Sequence, residues 1–216
     1  MGRLGHALMT QWNRAGIQVA VFHPHSDKKH SFTQKYELAK AVSLDDFHRF
    51  STVILAIPPG AVSEFINEHE YHFLKATTFI NMATAQDTEE IQQKFPQLSI
   101  VAMKLMGNAA DLELRGNGLF VTEQPVNQPV NHLFSAIGNI VIDEEQTVSN
   151  GNKLATYYAL KMATELEAEA KFQNIDPIYV ERMLTSLAPE VIRAYAQEEL
   201  GGFGKKVLET LRLEDS

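Results

Sequence analysis

Residues 52–57 read Thr-Val-Ile-Leu-Ala-Ile, and Pro58-Pro59-Gly60 stops the run at once. A continuous apolar run of this kind is what a parallel strand needs when it is covered on both faces. The chain around it repeats the theme. Further β-type runs occur at 17–22, 78–82, 98–103, 119–122 and 139–142. Between them apolar residues recur at helical spacing over 4–15, 32–40, 44–50, 61–68, 86–95 and 130–136, with Gly16 a natural stop for the first. Strand and helix alternating with short connections predict a doubly wound, mostly parallel α/β sheet. After about Asp143 the pattern changes to two long helical stretches, 152–172 and 177–199, with no strand-like run. The expected organisation is therefore an α/β domain over 1–145 and a helical C-terminal domain over 146–216. No internal repeat is visible.

Composition limits the function classes. At 216 residues, 44% hydrophobic and 21% charged, the chain has ordinary globular usage. Its formal net charge of −8 argues against a nucleic-acid partner, which needs a basic face. The absence of cysteine excludes disulfides, thiolate metal sites and a cysteine nucleophile. The eight histidines show no ligand spacing on a helix, so no metal is expected. No apolar stretch approaches a membrane span, and the N-terminal residues lack the apolar core of a secretory signal. A soluble, cytoplasmic protein with no membrane partner is the expectation.

A dinucleotide-binding fingerprint is a strand, then G-x-G-x-x-G, then a helix. Its second glycine admits the pyrophosphate and its third lets the helix pack closely. Gly2 and Gly5 have the spacing of those last two glycines, and the helical pattern starts where it should. The first glycine and the first strand would then lie before Met1. Pro58-Pro59-Gly60, directly after a buried strand, is placed where open α/β sheets bind ligands. An ordinary turn there, and two glycines at a chain terminus, are the competing readings.

At these residues the sequence resembles the pyrroline-5-carboxylate reductase family, within the wider group of β-hydroxyacid and 6-phosphogluconate dehydrogenases. MGRLGHAL is similar to the end of the family's G-x-G-x-M-G motif, with Leu4 in the hydrophobic place. VILAIPPGAV resembles the strand ending in A-V-K-P, with Pro58 where lysine is usual. INMATAQ stands in the place of the strand and small-residue turn beside the nicotinamide. MKLMGNAADLELRGNGLFVTE resembles the R-x-M-P-N-T-P segment, with Lys104, Met106 and Asn108 matching in kind. The resemblance implies a Rossmann-like fold and an NAD(P) site formed by Gly2, Arg3, Leu4, Gly5, Ile57, Pro58, Pro59, Met82 and Ala83. It also implies a helical domain that pairs two subunits and binds substrate between them. The family's S-G-S-G-P-A-Y helix start is replaced here by residues 148–157, VSNGNKLATY.

NAD-preferring sites usually end the second strand of the fold with an acid that binds the ribose hydroxyls. Here that strand ends at Phe22 and continues into His23, Pro24, His25 and Ser26, with Lys28 and Lys29 close behind and Asp27 the sole acid. His23, His25, Ser26 and Lys29 suit a 2′-phosphate better, which favours NADP(H) over NAD(H). A solvated polar loop is the alternative. Hydride transfer is the cofactor's chemistry, and the protein supplies orientation and a proton. Lys153 is the first candidate donor, with Tyr157 one turn further on the same helix face, and Lys104 is the second. A surface lysine near a helix start is the competing reading of Lys153, and a solvated strand-end lysine that of Lys104.

Two functions remain open on the sequence. One is an NAD(P)-dependent oxidoreductase acting on a small imine or a carbonyl/alcohol compound. The other is a non-catalytic relative that keeps the fold and serves as a dimeric binding or regulatory protein. Apolar stripes at Leu160, Ala163, Leu166 and Ala170, and at Val180, Met183, Leu184, Leu187 and Val191, point to a homodimer through the C-terminal helices.

Overall fold

The structure, a computed structural model, describes residues 2–214 and divides into two compact units, the first ending at Lys153 and the second starting at Leu154. The first unit is the α/β part. Helix α1 (Arg3–Arg14) is followed by β1 (Val19–Val21), α2 (Ser26–Lys35) and β2 (Ala39–Ala41). A 3-10 turn over Leu44–Arg49 leads to β3 (Thr52–Leu55), α3 (Pro59–His69), β4 (Thr78–Asn81), α4 (Thr88–Lys94) and β5 (Ser99–Ala102). Then come β6 (Lys104–Leu105), α5 (Ala109–Arg115), β7 (Gly118–Thr122), α6 (Gln128–Ser135) and β8 (Gly138–Ile142). Strands β1 and β2 pair in parallel, β3-β4-β5 form a parallel triple, and β6-β7-β8 form a third group in which only the β6–β7 pair is antiparallel.

The strands confirm a mostly parallel sheet wound on both sides. Along the central triple, residues alternate between two cores, as the two-residue period of a strand dictates. Ile80 points with half-buried Ile54 and Val101 into a core built on Ala7, Leu8 and Trp12 of α1 and Phe134 of α6. Leu55, Phe79 and Ile100 point into the opposite core, closed by Val62 and Ile66 of α3 and Ile91 and Phe95. Helix α1 is tied in at its far end, where Gln11 Nε2 donates to the carbonyls of Leu112 (2.7 Å) and Glu113 (2.9 Å). Trp12 Nε1 donates to the carbonyl of Leu133 at 2.8 Å. Gly16 ends α1 with φ of +75°, a conformation glycine adopts at no steric cost, and Ile17 N–H closes back on Trp12 O. The chain thus reverses, α1 runs opposite to β1, and the start of α1 lies toward the end at which β1 finishes.

Several elements differ from the sequence reading. The helix expected over 32–40 begins earlier, at Ser26, and stops at Lys35, because Ala39–Ala41 pair with Val19–Val21 as β2. Ala-Lys-Ala has helical propensity, and strand pairing overrides it. Helix α5 was not anticipated; Asn108 caps it by accepting from Ala110 N–H at 2.8 Å. A helix over Gly202–Glu214 was likewise not anticipated, the helix expected over 177–199 is interrupted, and the one expected over 152–172 starts early.

That helix, α7 (Glu145–Phe172), links the two units as one continuous element. The second unit continues with α8 (Pro177–Arg182), a π-helical turn over Met183–Leu187, α9 (Ala188–Ala196) and a further helix, α10 (Gly202–Glu214). The π turn has a local cause. Pro189 has no N–H to offer the carbonyl of Thr185 and its ring crowds that carbonyl, so the helix widens one turn earlier. Among the described residues no strand follows Ile142, and no helix is long and apolar enough to cross a membrane.

Candidate cofactor site

Strands β3, β4 and β5 run in register, so the loops after Leu55, Asn81 and Ala102 share one end of the sheet. Ile57, Pro58 and Pro59 leave β3 there, with Pro59 in the first turn of α3, where a missing N–H costs nothing. Met82 and Ala83 leave β4 there, and both side chains are buried. Either could meet a ligand through its backbone more readily than through its side chain.

Gly2 is the residue that caps α1, and among the described residues no side chain caps the first amides of that helix. The first turn carries no acid, and a Cβ built on Gly2 would meet nothing within 4 Å. Its φ of −80° is open to any residue, so the lack of a side chain here keeps space clear rather than permitting a special backbone. An uncovered N-terminus on a twelve-residue helix, with exposed Arg3 beside it, suits an anion such as a pyrophosphate. Leu4 packs against the core below, and Gly5 is half-buried on the helix.

At the end of β1, His25 N–H donates to His23 Nδ1 at 3.0 Å, and the two rings lie 5.4 Å apart. The bond makes His23 Nδ1 an acceptor. Burial first, then the charge of the chain's amino terminus and those of His25 and Lys28, push the His23 imidazole below its ordinary pKa. Ser26 opens α2 and is exposed, while Lys29 Nζ reaches the carbonyl of Val42 at 3.4 Å. The structure thus brings His23 and His25 together and leaves Lys28, in the first turn of α2, exposed. These residues fit a phosphate group.

His6 on α1 shares the acid sensitivity of His23. Its Nδ1 lies 3.1 Å from the Tyr36 hydroxyl, and burial followed by the charge of Lys35 lowers its pKa. Both imidazoles favour the neutral form in the folded protein, so the unfolded chain takes up protons first as the pH falls. Their contribution is complete above the ordinary value of 6.5 and is lost as the pH drops from there through the lower folded pKa values. The melting temperature is therefore expected to fall between about pH 7 and pH 5, and less so in a His6→Gln/His23→Gln variant. Equal falls in the two proteins would assign the acid sensitivity to other groups.

Beneath the turn after β4 lies a buried polar network that sequence reading only half found. Lys104 does not point to solvent. Its side chain is 1% exposed, and its Nζ donates to the carbonyls of Ala83 (2.7 Å) and Gln86 (2.9 Å). Glu145 Oε2, from the first turn of α7, lies 3.2 Å from Nζ. Burial pushes the Lys104 ammonium below its ordinary pKa, and Glu145 opposes that shift. Glu145 also accepts from Thr88 N–H (2.6 Å) and Thr88 Oγ1 (2.7 Å). Asn81 Nδ2 donates to Gln86 O and Thr88 Oγ1, and Asn81 Oδ1 accepts from Ala83 N–H. Glu145, Thr88 and Asn81 carry no spacing signal, because three separate elements bring them together.

Lys153 and Tyr157 lie one turn apart on α7 and both are exposed, Tyr157 at 62% with its ring edge against Tyr158. The neighbour of Lys153 is anchored: Asn152 donates to Leu105 O (3.2 Å) and accepts from Gly107 N–H (3.1 Å). Among the described residues no group of three or more His, Asp or Glu is gathered as a metal would require.

The chain is similar to known proteins. The family described as NADP oxidoreductase, coenzyme F420-dependent, matches residues 1–85, the segment carrying the α1 start and the first three strand-end loops. No curated protein matches the chain. A pyrroline-5-carboxylate reductase from Coxiella burnetii superposes with a TM-score of 0.70 at 16% identity, over 99% of this chain and 89% of its own. The Plasmodium falciparum pyrroline carboxylate reductase with NADP bound gives 0.62 at 15% identity, over 99% and 87%. An imine reductase variant from Myxococcus stipitatus in complex with NAD+ gives 0.60 at 11%, over 91% and 75%. The chain shares the Rossmann-type fold of these structures, at 11–16% sequence identity.

Proposed function

We propose that the protein is an NADP(H)-dependent oxidoreductase that transfers hydride to or from a small imine or a carbonyl/alcohol compound. The observation that carries this reading is the start of α1 at Gly2, uncapped among the described residues, on the side where β1 leads into the basic His23–Lys29 segment. The pyrophosphate would meet the first amides of α1 and Arg3. The 2′-phosphate would meet Ser26, Lys28 and the two histidines. Ile57, Pro58 and Pro59 would line the passage between them, and the turn at Met82 and Ala83 would receive the nicotinamide. The cofactor, when bound, supplies or accepts the hydride.

Lys153, with Tyr157 on the same helix face, is the group we assign to proton delivery. An ammonium or phenol on an exposed helix face can supply the proton that an imine nitrogen or a carbonyl oxygen needs as hydride arrives.

The second unit supports a homodimer. Among its described residues only Ala170 is buried, while Leu160, Leu187, Val191, Tyr195 and Leu211 are exposed. Such faces resemble a core cut in half.

The test is titration of the purified protein with NADPH and NADH. NADPH is expected to bind at least about ten-fold more tightly, the scale of one charge-assisted contact set, and Lys28→Ala to narrow the gap. Equal affinity for the two would sink the preference. No binding of either would favour the non-catalytic alternative, a dimeric binding or regulatory protein.

A further inference from the structure

We infer that Lys104 and Glu145 form a positioning pair, which holds the backbone turn after β4 so that it meets the nicotinamide half of the cofactor and leaves the adenosine half unaffected. The inference rests on the cofactor reading above and concerns residues which that reading does not use.

An ammonium has three N–H donors, and Lys104 spends them on the Ala83 carbonyl, the Gln86 carbonyl and Glu145 Oε2. Ala83 O also accepts from Gln86 N–H at 3.2 Å, closing a four-residue turn whose two end carbonyls are drawn inward onto one nitrogen. The crown of that turn faces the other way, with Ala85 exposed and Thr84 half-buried. Stability alone is a poor reason for this arrangement. A buried ion pair costs so much desolvation that apolar side chains of similar size often do as well. What apolar side chains cannot do is hold two carbonyls at a set orientation.

Glu145 extends the hold to helix α7. Its carboxylate joins Lys104 to Thr88 at the start of α4, and Asn81 on β4 closes the ring through Thr88 Oγ1 and Gln86 O. Seven residues along α7, on the same face, Asn152 grips Leu105 O and Gly107 N–H. Val148 is fully buried between the two, and at Gly151 a Cβ would come within 2.9 Å of Met106 Cε. The first two turns of α7 and the turn after β4 are therefore tied together, with the Lys104–Glu145 charge pair joined by the hydrogen bonds of Asn81, Thr88 and Asn152.

The experiment compares two probes: NADPH, and 2′,5′-ADP, which carries the adenosine half and no nicotinamide. Wild type, Glu145→Gln and Lys104→Met/Glu145→Gln are titrated with each and melted. The double variant leaves no unpaired charge, so it is expected to melt cooperatively. NADPH affinity should fall about ten-fold in both variants while 2′,5′-ADP affinity holds within about two-fold, as expected of a loosened supporting residue. Equal loss of both probes, or loss of neither, overturns the assignment. Wild type binding 2′,5′-ADP as tightly as NADPH overturns it too, yet leaves the cofactor reading standing. Wild type binding neither probe overturns both.

Discussion

Glutamates at Leu187 and Val191 together are expected to leave the protein monomeric at micromolar concentration. The two positions lie one helical turn apart, Leu187 closing the π turn and Val191 on α9, and Tyr195 continues the stripe a turn later. All three are exposed in the protomer. A twofold interface uses each patch twice, so the double substitution removes four apolar side chains and introduces four carboxylates. At roughly 1.5–3 kcal/mol for each buried side chain, the dimer dissociation constant should rise at least about a thousand-fold. Sedimentation velocity reads the change directly. A wild-type monomer at the same concentration would refute the dimer, and an unchanged dimer in the variant would move the interface elsewhere.

The second large effect is expected at Gly138. Strand β8 pairs in parallel with β7, and Gly138 sits directly opposite Gly118. A Cβ on Gly138 would fall on the carbonyl oxygen of Gly118 and within 2.7 Å of its Cα, so the obstacle is backbone that cannot swing aside. Gly138→Ala should cost about 3 kcal/mol, lowering the melting temperature of a chain of this size by roughly 6–12 °C. Gly60→Ala is the control. It lies in the first turn of α3 with open space at the Cβ position, and alanine there should be neutral or slightly stabilising. Similar melts for the two variants would show that β7 and β8 can part without penalty.

Much of the architecture was legible because it follows from short-range periodicity. The apolar run at 52–57 marked a strand, which the structure holds over Thr52–Leu55 with only Leu55 fully buried, and Gly16 had to end a helix. The change of pattern near Asp143 marked the end of the strands. Ala39–Ala41 was illegible for the converse reason: an alanine-lysine-alanine segment carries no strand preference of its own and takes its structure from β1 alongside. Of the candidate site, the chain signalled the glycine spacing, the basic loop after Phe22 and the proline turn after β3. Lys104 was visible as a lysine at a strand end, a position at which lysines are usually solvated. Only the folded chain shows that its stem runs inward to meet Glu145, forty-one residues away.

What the sequence determined by itself is therefore local: which segments are strands or helices, where helices stop, and which loop carries positive charge. Backbone sterics and side-chain spacing act within a few residues, and no partner is needed to read them. Tertiary structure alone decided which polar groups share a buried space. Asn81, Thr88, Lys104 and Glu145 come from four different segments, and nothing in their spacing foretells a network. They are gathered because burying an ammonium demands that each of its donors find an acceptor, wherever in the chain that acceptor lies.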